Sequence, residues 1–157
     1  MPPPAETLPA TEQELDAFLA AFEAGTLPKE RFSHAGHLLA GACYVHRMEE
    51  SAAIDHMRIC VRRFNEAVGG RNTETSGYHE TITRFWLEIV RAYIAALPAG
   101  LTPVDVTRRV VEEFAPKRDL FRDYYDFDVL KSREARAVWI PPNQSPGVTS
   151  IFPTPSA

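Results

Sequence analysis

The stretch Ser33 to Met48 is apolar on nearly every side, with Leu38, Leu39, Ala40, Ala42, Cys43 and Val45 spread around the turn. A helix with no broad polar face belongs in the middle of a bundle. The patterns on either side of it are amphipathic at helical spacing. Leu15, Phe18, Leu19 and Phe22 fall at i, i+3, i+4 and i+7 behind a Thr11-x-x-Glu14 capping box, and Gly25 closes that first helix. Pro28 opens a single helical turn through Arg31, and Ser33 caps the central helix. Ile54, Met57, Val61, Phe64 and Val68 form the stripe of a third helix, with its start signal at Ser51 and its stop at Gly69-Gly70. A polar loop spans 71–77. The fourth helix runs from Tyr78 to Leu97, and the fifth starts at Thr102-Pro103-x-Asp105 and carries Val104, Val110, Val111 and Phe114. Short pieces over 118–126 and 133–139 complete the reading.

No strand-period alternation competes with these helices. The expected fold class is all-α, a bundle of about five main helices with short extra turns. The expected organisation is an extended or disordered N-terminal segment over 1–10, one helical domain over 11–140, and an extended proline-rich tail over 141–157.

Composition narrows the function classes without naming one. The 157 residues hold 45% hydrophobic and 24% charged positions, ordinary for a soluble domain. A net charge of −4 gives no reason to expect a nucleic-acid partner, and Arg47, Arg58, Arg62 and Arg63 read as a solvated helix face. Cys43 and Cys60 read as buried free thiols, so a reducing, cytoplasmic setting is expected. The N-terminus lacks the pattern of a signal peptide, and no apolar run reaches the ~18 residues of a membrane span. The partner expected is therefore a small molecule, with neither nucleic acid nor membrane; oligomeric state stays open.

The candidate chemistry lies in three histidines. On the central helix His37 falls about 300° from His34, with Gly41 at about 340° and Tyr44 at about 280°, so both imidazoles share a stripe in which glycine leaves room. On the fourth helix the apolar face centres about 320° from His79, which turns that side chain inward, with Glu80 at its margin. His34, His37 and His79 are thus the expected ligands of one divalent transition metal ion, zinc first, with copper, iron, nickel or cobalt also suited to imidazole. Glu80 is the candidate acid or base beside a metal-bound water, Tyr44 a candidate hydrogen-bonding catalytic group, and Arg71 and Asn72 candidates for substrate contact. A carboxylate from the 122–128 segment is a possible fourth ligand. His46 and His56 fall off the stripes and read as surface residues.

Several motifs are excluded. His79-Glu80 is not a zinc-protease motif, because Thr83 stands where the second histidine belongs. There is no nucleotide loop, no nucleophile elbow and no paired E-x-x-H of the di-iron bundles. The leading expectation is a small metalloenzyme working through metal-activated water or oxygen chemistry. A non-catalytic metal-binding or sensing protein and a metal-free helical interaction module are the alternatives.

Overall fold

The chain's end-of-helix chemistry decides where each rod starts and stops. The computed structural model describes residues 8–144. Its helices are α1 (Glu12–Ala24), α2 (His34–Arg47), α3 (Glu50–Ala67), α4 (Glu80–Ala95), α5 (Pro103–Phe114) and the short α6 (Arg133–Ala137), with no strand among the described residues. The protein is an all-α bundle of five main helices. Residues 1–7 of the expected N-terminal segment and 145–157 of the expected tail lie outside the described residues.

Thr11 accepts the Glu14 amide at 3.1 Å, while the Glu14 carboxylate takes the amide of Ala10, one residue before the cap. Gly25, at φ 73°, closes α1 in the left-handed conformation that glycine adopts without strain. Thr102 caps α5 through the Asp105 amide. Two boundaries differ from the sequence pattern. The α3 helix starts at Glu50, because Met48 and Glu49 are the extended pair that turns the chain, and Ser51 already lies inside the helix. His79 is the cap of α4 rather than a member of its first turn, with φ −132° and ψ 109°.

The apolar α2 packs against α3, α4 and α5, as a helix without a polar face must. Gly36 allows the entry to α2, since a Cβ there would sit 2.6 Å from the Arg31 carbonyl oxygen. Phe22 stacks on Phe32 with centroids 4.3 Å apart, and Phe32 in turn lies 4.8 Å from Phe64, which joins α1, the 3-10 turn Lys29–Arg31 and α3. The four arginines read as one stripe are dispersed. Arg47 pairs with Glu12 and Asp16 and Arg58 with Asp55 and Glu80, whereas Arg62 lies over Tyr78 and Arg63 donates to the Glu23 carbonyl.

After α5 the chain becomes a strap of 3-10 turns at Ala115–Lys117, Leu120–Tyr124 and Val129–Lys131. A 3-10 turn aligns i with i+3, and here that brings the buried Phe121 and Tyr124 onto one side. Beyond α6 the chain is pinned to α4: Thr81 donates to the Val138 carbonyl at 2.7 Å and accepts the Ile140 amide at 3.0 Å.

Candidate functional site: a cavity walled by three histidines

A cavity of about 660 Å3 lies between α2, α3, α4 and the strap. Its walls are mainly apolar, from Leu38 and Gly41 on α2, Met57 and Val61 on α3, Ile82, Trp86 and Leu87 on α4, and Phe121 on the strap. This is the size and character of a site for a small organic molecule. His34, His37 and His79 all line it, as does Gly41, whose missing side chain brings α2 up to Leu87.

Hydrogen bonding sets the protonation pattern of each imidazole. A carbonyl oxygen only accepts, so the nitrogen facing it must carry the proton. His34 Nε2 donates to the Phe114 carbonyl at 3.1 Å, which leaves Nδ1 of the neutral ring with a lone pair. His37 donates in the opposite sense, from Nδ1 to the Ser33 carbonyl at 2.9 Å, leaving the lone pair on Nε2. His79 Nε2 donates to the Val129 carbonyl at 2.9 Å, and its Nδ1 accepts the Ile82 amide at 3.2 Å. Both nitrogens of His79 are therefore occupied, whereas His34 and His37 each keep one lone pair.

Burial favours the neutral form of all three. For His34 burial is the largest cause, with the nearby Arg118 charge adding to it and the Phe114 bond and Asp119 opposing it. His79 is lowered by burial, against the bond to Val129. His37 falls to about 4, through burial first and then its neighbour His34, despite the bond to Ser33. His37 is an exposed residue whose ring lines the cavity. Phe32 lies 4.0 Å from the His37 ring and Trp86 4.8 Å from the His34 ring, so both imidazoles are held between aromatic faces.

The other residues singled out in the sequence lie elsewhere. Tyr44 donates to Glu23 at 2.7 Å, on the side of α2 facing α1 and α3, and burial raises its pKa. His56 joins the same Glu23 carboxylate at 2.9 Å and is half-buried there, rather than a free surface residue. Glu80 receives Arg58 at 2.6 and 2.9 Å and the Tyr78 hydroxyl at 2.6 Å. Burial works against its charge, but Arg58 and Tyr78 outweigh that and hold its carboxyl below the usual range. Asn72 is a loop brace: its Oδ1 accepts the Tyr78 amide at 2.9 Å and its Nδ2 donates to the Arg62 carbonyl at 3.0 Å. Arg71 is exposed, and neither it nor Asn72 lines the cavity. In the 122–128 segment Asp126 pairs with Asn143 and Asp128 caps Leu130, and none of Asp123, Asp126 and Asp128 lines the cavity.

The sequence reading missed Arg118, Asp119 and Arg122, which form the strap's polar edge of the cavity. A charged run after Pro116 carries no signal that distinguishes a cavity edge from an ordinary turn. The carbonyls of Phe114 and Val129, which orient two of the histidines, leave no trace in residue types at all. Among the described residues, no group of three or more His, Cys, Asp or Glu side chains stands close enough to hold a metal ion. Compared with models of protein families, with characterised proteins and with solved structures, the chain matches none.

Proposed function

We propose that this protein binds a small organic molecule in the cavity, and that His34 and His37 accept hydrogen bonds from its polar group. One observation carries the reading: two imidazoles on the same wall, each with its N–H fixed on a backbone carbonyl, each keeping one lone pair, in a mainly apolar space. Such a lone pair is open to an O–H or N–H donor of a bound molecule. The probe is N-phenyl-1-naphthylamine, a neutral aromatic amine. In two-bond proton–nitrogen spectra of the untagged protein it shifts the His34 and His37 imidazoles and leaves the exposed His46 unmoved. Unchanged His34 and His37 signals at saturating probe would overturn the reading.

A second reading makes the same site an enzyme: His34, His37 and His79 hold one divalent transition metal, zinc first, which activates water or oxygen for reaction with the molecule bound beside it. What favours it is that each of the three imidazoles donates an N–H to a backbone carbonyl, to Phe114, Ser33 and Val129. This is how ligating histidines are commonly oriented. To join them His79 must give up the Ile82 amide at Nδ1, and the three side chains must draw closer together than they stand. Elemental analysis after zinc reconstitution tests it. Stoichiometric metal that is lost in the His34/His37/His79 triple-alanine variant is the expected result, and equal metal in both proteins would end this reading.

A further inference from the structure

The helices and the strap line the cavity with different chemistry, and the difference specifies what fits. On the α2 side each ring's N–H is spent on a backbone carbonyl, so Nδ1 of His34 and Nε2 of His37 present lone pairs that accept. They offer nothing to a carboxylate or a phosphate. The residues that α2, α3 and α4 contribute to the lining include no lysine or arginine, so an anion there gains no counter-charge.

The strap edge is the opposite. Arg118 is exposed on the cavity wall and has no ion pair among the described residues, whereas Arg47, Arg58 and Arg91 are each paired with two carboxylates. Arg122 lies over the Phe121 ring at 5.1 Å and shares Asp119 through a contact of 3.4 Å. Two arginines against one aspartate leave one positive charge at this edge, in a chain whose net charge is −4. His34 is tied to the Phe114 carbonyl, four residues before Arg118, and both side chains line the one cavity.

We propose that the ligand is an amphipathic organic anion: a flat apolar body against Trp86 and Phe121, an O–H or N–H donor at His34 and His37, and an acidic group at Arg118 and Arg122. This rests on the ligand-binding reading above and adds the charge and polarity of the ligand. Guanidinium is suited to the acidic group because its fork matches carboxylate and sulfonate oxygens. Asp119 moderates the edge, so a dianion gains less than a monoanion.

Two probes separate this inference from the reading it rests on. N-Phenyl-1-naphthylamine and 8-anilinonaphthalene-1-sulfonate share the aromatic body and the N–H and differ by one sulfonate. Fluorescence titration at low salt gives both affinities, and the histidine spectra confirm that each sits in the cavity. The expected result is about tenfold tighter binding of the sulfonate probe, the scale of one charge-assisted hydrogen bond. Arg118→Ala with Arg122→Ala removes that advantage and leaves the neutral probe unchanged, and Asp119→Asn enlarges it. Equal binding of the two probes by the native protein, or an advantage untouched by the arginine substitutions, would overturn the anion inference while the cavity reading stands. Absence of both probes from the cavity would overturn both.

Discussion

His79 Nε2 donates to the carbonyl oxygen of Val129 at 2.9 Å, fifty residues along the chain, while the same ring caps α4 through Nδ1. His34 makes the matching bond to Phe114 at 3.1 Å. The two histidines therefore hold opposite ends of the strap that walls the cavity. Whatever else they do, they fix the distance between the strap and the central helices.

Substituting His79 should reveal that role. His79→Ala removes a cap and a tie to the strap together, a loss of about 1–3 kcal/mol in metal-free protein by urea unfolding. Hydrogen exchange at Leu130 and Lys131 should accelerate with it. A histidine serving only as a metal ligand would leave metal-free stability and exchange unchanged.

The pH dependence follows from three lowered imidazole pKa values. Each ring holds its proton less readily in the folded protein than its ordinary value of 6.5, so in this range the unfolded chain binds more protons. Stability therefore rises with pH. Their contribution is fully present above 6.5 and is lost as pH falls towards about 4, the His37 value. Denaturation midpoints should fall across that window, and His37→Gln should flatten the slope. A midpoint that stays level between these limits would contradict the assignment of neutral, buried imidazoles.

Glu80→Gln should act on stability rather than on the cavity. The Arg58–Glu80 pair at 2.6 Å has an almost fully buried carboxylate and a partly exposed guanidinium. Solvent reduces the cost of breaking it to about 2 kcal/mol, below that of a fully buried pair. Unfolding curves should show that loss, while probe affinity stays at the native value because the side chain lies off the cavity wall.

Gly36→Ala tests the join between the Lys29–Arg31 turn and α2. The new Cβ would meet the Arg31 carbonyl at 2.6 Å, a backbone atom that moves only with its turn. A cost of roughly 1–3 kcal/mol is expected, despite alanine's better helix propensity. A gain in stability would mean the turn relaxes freely.

The bundle was legible in the chain because its signals are local. Thr11, Ser33 and Thr102 cap helices through amides three residues away, and the apolar stripes of α1 and α3 are periodic within one helix. The inward turn of His34, His37 and His79 was legible for the same reason, since a helix's faces follow from its pitch. Tyr44 and Glu80 show the limit. Each lies on or beside the right stripe, yet Glu23 captures one and Arg58 the other, partners from different helices.

Taken alone, then, the sequence determined the helices, their order and the apolar centre at α2, and it turned three histidines towards what the fold makes one cavity wall. Tertiary structure alone decided which imidazole nitrogens remain free, because the Phe114 and Val129 carbonyls that bind two of them belong to every residue type alike. It also decided that Arg118 and Arg122 edge the cavity, since the course of the strap depends on burying Phe121 and Tyr124 against the bundle and not on the charges themselves. Local periodicity is written in side chains. The pairing of backbone groups across the fold is not, and the chemistry of this site turns on it.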